Sequence, residues 1–221
     1  MLELRSSYLA RLAVSPTTCQ RSFNNDYAAL PTPKPRDTIR PVPTTRELLE
    51  ATIALEKQSM ALYARFAKIF YDDPRLHEFW FNMARDEARH VGALDLVSTV
   101  LELEGVLDKP SPIAMRAEDI ERLRALLDRC LNQPAETLVL ERALAIALEV
   151  EETELEDMVG DLLRALRQND EYERCQRLLI HDLGELSYMI EQHCHDLALL
   201  QRCDELVNHH AETLRHCTTV R

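Results

Sequence analysis

One short segment of the sequence combines residue types that suit metal chemistry. R-D-E-A-R-H at 85–90 places Glu87 and His90 three residues apart, so that in a helix both side chains lie on one face about one turn apart. Carboxylate and imidazole groups are ligands of iron, manganese and zinc. A solvated helix surface could carry the same pair, but the residues that share its face are apolar: Trp80, Met83, Ala84, Val91 and Leu94. We therefore predict that Glu87 and His90 face the protein interior and ligate metal.

Two other glutamates interrupt apolar stripes that recur at alternating steps of four and three residues, the period of one helix face. The first stripe consists of Leu49, Ile53, Glu56, Met60, Tyr63 and Ala67. The second consists of Leu144, Leu148, Glu151, Leu155, Met158 and Leu162. A carboxylate in such a stripe should face the core, which selects Glu151 over its acidic neighbours. Tyr63 is predicted to be a core residue, with a hydrogen bond to a ligand as the alternative.

The two stripes belong to an internal repeat, because a shift of 95 residues superimposes them without a gap. The same shift carries Glu87 onto Asp182 and His90 onto Glu185. We predict both as ligands from the second half, with Glu185 toward the edge of its stripe. A different register, Glu185-x-x-Tyr188, stays open. The candidate metal ligands are Glu56, Glu87, His90, Glu151, Asp182 and Glu185, and we predict no catalytic residue beyond them.

Five buried carboxylates cannot all be ionised in an apolar core. Burying even one unpaired charge costs several kcal/mol, and the group would take up a proton instead. Two divalent cations would supply four positive charges to the same centre. The predicted cluster therefore favours a two-metal site.

Helices must position these residues. Only four glycines occur in 221 residues, which disfavours all-β folds and phosphate-binding loops, and Leu, Ala, Glu and Arg fill long stretches. We predict an all-α fold, with a capping box from Thr44 to Glu47. The predicted helices cover about 44–71, 74–103, 117–131, 135–167 and 171 to beyond 195. The connections indicate a four-helix bundle with one crossover. Its parts are a hairpin at 44–105, a crossover at 106–134, a repeated hairpin at 135–200 and a helical extension to 221.

The chain resembles the ferritin-like di-iron carboxylate proteins of the rubrerythrin-like branch over about residues 44–200. The matching segments are A-L-E-K-Q-S-M-A-L-Y (54–63), M-A-R-D-E-A-R-H (83–90) and A-L-E-V-E-E-T-E-L (147–155). That family takes one Glu from each of two helices and a Glu-x-x-His from each of the other two. Here the second Glu-x-x-His is absent, and the sequence contains no C-x-x-C pair for a rubredoxin module.

The resemblance implies two iron ions, with manganese or zinc as alternatives, that react with O₂ or peroxide. We therefore expect a di-iron oxidoreductase of ferritin or rubrerythrin type, with peroxide scavenging as one activity. The alternative is a non-catalytic helical bundle that binds or stores metal, or that binds a partner. We also predict a homo-oligomer, a dimer.

Composition excludes several partners. The net charge of −12 opposes nucleic-acid binding, and no apolar run reaches the length of a membrane helix. The six cysteines do not form a disulfide framework, which favours a cytoplasmic location. Residues 1–43 are rich in proline at their end and are predicted to be an extended arm, either disordered or wrapped around a neighbouring subunit. Histidines and cysteines at 193–217 match no known metal motif and are predicted to belong to a helical extension.

Overall fold

A computed structural model of the chain describes residues 42–113, 117–166 and 169–219, which fall within one compact unit. Regular structure in these ranges is helical, apart from one isolated bridge between Thr44 and Pro110, so the all-α prediction is confirmed. The helices are α1 (Thr45–Ile69), α2 (Pro74–Leu103), α3 (Ala117–Leu131), α4 (Leu140–Glu151), α5 (Glu154–Ala165), α6 (Asn169–His193) and α7 (Leu197–Thr219). None of these helices has both the length and the apolar character that a membrane span requires. The arm predicted for 1–43 lies outside the described residues, except for its last two.

Helices α1 and α2 pack along each other as a hairpin, and local signals set their ends. Thr44 caps α1 through the predicted capping box with Glu47. Asp73 caps α2 by accepting hydrogen bonds from two backbone N–H groups, and Pro74 occupies the first turn. At the other end of the hairpin, Arg46 pairs with Asp108 at 2.7 Å. The predicted helix at 74–103 is confirmed at both ends.

Helix α3 packs on α1. The last carbonyl groups of a helix have no partner within it and need one elsewhere. Arg65 of α1 supplies that partner, because its guanidinium donates to the carbonyl oxygens of Cys130, Leu131 and Gln133 at the end of α3. One half-buried arginine therefore ties the end of α3 to α1.

The third long helix, predicted at 135–167, is not continuous. A 3₁₀ turn covers Ala135–Thr137. The helix is then interrupted at residues 152–153, between α4 and α5. Thr153 produces the break, since its hydroxyl donates to the carbonyl of Val150 at 2.6 Å and accepts from the N–H of Leu155. Threonine at this position is a common helix cap. The segment T-E-L-E at 153–156 has capping-box spacing, a signal that the apolar stripe concealed.

Helix α6 packs against α4, α5 and α2, and α7 packs back along α6. The Cys203 thiol of α7 is fully buried and donates to the carbonyl of Leu183 at 3.6 Å. Burial raises the pKa of Cys203 to about 12, so it packs as a neutral thiol. None of the cysteines whose side chains the structure describes forms a disulfide: Cys130, Cys175, Cys194 and Cys203.

Candidate metal centre

Three predicted ligands from the first hairpin meet inside the protein. Glu56 comes from the middle of α1, and Glu87 and His90 come from one face of α2. Their ligand atoms all lie within 4.8 Å of one another. His90 Nδ1 lies 3.3 Å from Glu87 Oε2 and 3.6 Å from Glu56 Oε2. All three side chains are buried, with Glu56 at 0% exposure.

The second half contributes Glu151 from the end of α4 and Asp182 from α6. Glu151 is buried, and the hydroxyl of Tyr63 donates to its Oε1 at 2.6 Å. Tyr63 is itself fully buried and stacks on Trp80. The hydrogen bond that the sequence left as the second choice for Tyr63 is therefore present. Asp182 is less enclosed, with 13% of its side chain exposed, and contacts His181 at 3.2 Å.

The electrostatics of these carboxyl groups reflect their burial. Loss of solvation raises the pKa of Glu87 to about 8, and the nearby charge of Glu56 contributes to the rise. Loss of solvation, with repulsion from Glu87 and Asp182, raises the pKa of Glu151 to about 8, against the lowering effect of the Tyr63 hydrogen bond. Burial also raises the pKa of Asp182. Without a cation, burial therefore favours the protonated form of both Glu87 and Glu151.

A small cavity of about 10 Å³ lies at the junction of the two halves. Such a volume holds about one water molecule or one ion. Its lining residues are Met83, Asp86, Glu87, His90, Glu151, Leu179 and Asp182. The cavity therefore joins Glu87 and His90 of the first half to Glu151 and Asp182 of the second. An ion here could contact ligands from both halves.

Asp86 is a cavity residue that sequence reasoning missed. It is 5% exposed and forms an ion pair with Arg89 one turn away. The stripe through Glu87 did not include it, because adjacent residues are rotated about 100° around a helix. The i,i+3 spacing of Asp86 and Arg89 is the only sequence signal for this pair, and such pairs are common on solvated surfaces.

The structure does not bring Glu185 into the cluster, because its side chain is exposed. The buried residues of α6 include Tyr172, Gln176, Leu179, Leu183, Leu186 and Ile190. At about 100° per residue, Asp182 lies roughly 80° from the centre of that face and Glu185 roughly 140°. Tyr188, from the alternative register, is 52% exposed. Packing against α4 and α5 therefore turns both Glu185 and Tyr188 away from the centre.

The predicted extension at 193–217 is helical from Leu197 to Thr219. Cys203 and His210 are buried in it, whereas His193, His195 and His209 are exposed. Among the side chains that the structure describes, the buried Glu–Glu–His group above is the one compact set of potential metal ligands. The description of a helical extension agrees with the structure over this range.

Comparisons of the chain with protein-family models, with curated proteins and with solved structures find no match. The interpretation of the site therefore rests on its own geometry and chemistry.

Proposed function

We propose that this chain is a metal-dependent oxidoreductase whose buried cluster holds two divalent cations, iron above all. The observation that carries the proposal is the convergence of Glu56, Glu87 and His90 in the protein interior. Two carboxylates and one imidazole form a donor set that suits iron, manganese and zinc. A bound cation also explains why a helical core keeps carboxylates beside a histidine, since isolated buried charges destabilise a fold.

The charge balance supports two ions rather than one. Besides Asp86, which is paired with Arg89, four carboxyl groups belong to the cluster: Glu56, Glu87, Glu151 and Asp182. When all four are ionised, two divalent cations neutralise them. Glu56, Glu87 and His90 would hold the first ion, while Glu151 and Asp182 would complete the second position together with Glu87, which lines the cavity they share.

Two bound iron ions would supply the electrons that reduce O₂ or peroxide. The chain's own residues prepare the site for that chemistry. The apolar side chains of Met83 and Leu179 close the cavity and limit water. Tyr63 orients Glu151 through its hydrogen bond, as partners of ligand side chains generally do.

We further propose that the fold is a ferritin-like four-helix bundle of two repeated hairpins. Support comes from burial at equivalent positions of the repeat. Glu56 and Glu151 are both buried, as are Tyr63 and Met158, which the 95-residue shift superimposes. Contacts of α1 with α5 and of α2 with α6 join the two hairpins.

A second function is a non-catalytic site for one ion. One observation favours it. Among the described residues, Glu56, Glu87 and His90 are the only set of three potential metal ligands whose ligand atoms all lie within 4.8 Å of one another. Three protein ligands, with water in the remaining positions, could hold a single metal ion, which would then stabilise the fold or be stored.

Anaerobic loading with Fe(II), followed by rapid mixing with O₂ or peroxide, separates these functions. The proposal predicts two Fe(II) per chain and their oxidation faster than that of free Fe(II) in the same buffer. Glu87→Gln should abolish both effects, whereas Glu185→Gln serves as a matched control that changes neither. One ion per chain without oxidation would support the second function, and no binding above that of Glu87→Gln would refute both.

A further inference from the structure

The solvent face of α2 carries an unusual set of side chains for a helix surface. Phe81, Leu96 and Leu103 are 55%, 56% and 85% exposed. They lie on one stripe with exposed Ala88 and Gly92. At about 100° per residue, all of them fall within roughly 40° of Gly92 around the helix. This face points away from the cluster that holds Glu87 and His90.

Gly92 lies in the interior of a 30-residue helix, where glycine is unfavourable. Apart from its chain neighbours and the adjoining backbone of α2 itself, no described atom lies within 4 Å of the position that a Cβ would take. Packing within the described chain therefore gives no reason for glycine here. A residue without a side chain does allow the backbone of another helix to approach closely.

The stripe is complementary to itself when reversed about Gly92. Positions at equal distances on either side of Gly92 pair Phe81 with Leu103 and Ala88 with Leu96, and between them Arg85 with Thr99. They also pair a base with an acid, Arg89 with Asp95. Arg89 keeps 47% of its side chain exposed beside Asp86 and can extend toward an approaching chain.

We propose that this face of α2 is the interface with a second copy of the chain, packed antiparallel about a twofold axis at Gly92. In a twofold interface each surface meets itself, so every position contacts its mirror position on the other copy. The reversed pattern then brings Phe81 against Leu103 at both ends, about 33 Å apart. A parallel packing would instead place the basic half of each helix, with Arg85 and Arg89, against the same half of the other.

In the proposed antiparallel dimer, Ala88 of one copy contacts Leu96 of the other. Charged substitutions at these two positions therefore test this geometry. Ala88→Lys and Leu96→Glu each place a charge opposite an apolar residue at both contacts, and both positions are exposed, so the chain should still fold. Each variant alone should be a monomer by analytical ultracentrifugation, whereas the wild type should have twice the 25.5 kDa of the chain. An equimolar mixture of the two variants should form a heterodimer, because the lysine introduced in one copy meets the glutamate introduced in the other.

Gly92→Leu provides the second arm, with Gly184→Leu as its control. Gly184 is also an exposed helical glycine with no other part of the described chain within 4 Å of its Cβ position. Its neighbours on the α6 surface are Tyr188 and the charged Arg177 and Glu191. Gly184→Leu should raise the melting temperature, since leucine favours a helix more than glycine does. Only Gly92→Leu should dissociate the dimer. A monomeric wild type, single variants that remain dimers, or a mixture that stays monomeric would each overturn the proposal. These readouts do not involve metal, so they are independent of the proposed function.

Discussion

The two halves of the cluster reach the same place by different means. In the first half, α1 runs unbroken through Glu56, and α2 presents Glu87 and His90 from adjacent turns of one face. In the second half, α4 ends at Glu151, and α6 presents Asp182 but turns Glu185 to solvent. The sequence repeat therefore preserves the positions of two carboxylates while the histidine and the continuous helix are lost. The first half should be the stronger metal binder.

The halves also depend on each other unequally. Tyr63 of the first half donates its hydroxyl to Glu151 of the second. The repeat puts Met158 at the equivalent position of the second half, and its sulfur instead lies 3.4 Å from the hydroxyl oxygen of Thr52. A thioether has no proton to donate. The first half therefore donates a hydrogen bond to the buried carboxylate of the second half, and Met158 donates none in return.

The largest expected effect comes from removing the imidazole. His90→Ala should weaken the tighter metal-binding step by more than about 100-fold, since loss of a hydrogen-bonding partner of a ligand already costs about 10- to 100-fold. Isothermal titration of the metal-free protein with Mn(II) measures the change. His195→Ala, which removes an exposed histidine that is not part of the cluster, is the matched control. An unchanged first step in His90→Ala would show that the first half is not the tighter one.

Loss of the shorter carboxylate should affect the other half. Asp182→Asn should leave the tighter step intact and weaken the second by about 10- to 100-fold, the range seen when metal sites lose an interacting group. Glu185→Gln tests the placement of α6 and should alter neither step. If Glu185→Gln weakens binding as much as Asp182→Asn, α6 is rotated relative to the structure.

Stability of the metal-free protein should fall as pH rises. Glu87 and Glu151 have pKa values of about 8 in the folded state against an ordinary 4.5, so between these values the folded chain keeps protons that the unfolded chain has lost. Stability from each group is complete below about pH 4.5 and lost toward pH 8, with a slope up to about 1.4 kcal/mol per pH unit. Urea unfolding with a chelator at several pH values measures this slope.

The Glu87→Gln variant sharpens the same experiment. It should remove the contribution of Glu87 and part of that of Glu151, because the charge of Glu87 helps to raise the pKa of Glu151. A slope that is unchanged in Glu87→Gln would mean that other groups cause the pH dependence. Added metal should reverse the trend, since its ligands must release protons to bind.

The smallest expected effect comes from removing the hydrogen bond between Tyr63 and Glu151, which joins the two halves. Tyr63→Phe should lower the free energy of unfolding by about 1–3 kcal/mol, because buried Glu151 loses its hydrogen-bond donor. Tyr188→Phe, at a half-exposed position, is the matched control and should stay within about 0.5 kcal/mol of the wild type. Equal stability of the two variants would contradict the role assigned to Tyr63.

Local signals and periodicity predicted the first half well. The capping residues Thr44, Asp73 and Pro74 mark helix ends, and the apolar stripe through Glu56 predicts its burial correctly. The second half was harder, because its features depend on packing. The apolar stripe through Glu151 continues past Thr153, so it gave no sign that the helix is interrupted there. Glu185 lies at the edge of the predicted stripe of α6, and the packing of α6 leaves its side chain exposed. Asp86 lies beside the predicted stripe and is buried by the arrangement of neighbouring helices.

The asymmetry of the two halves is tested most directly by anaerobic titration of the metal-free chain with Fe(II), followed by the metal content of the saturated protein. The account predicts two ions per chain that bind in two unequal steps, with the tighter step lost in His90→Ala. Two equal steps, or a tighter step that survives in His90→Ala and disappears in Asp182→Asn, would contradict it.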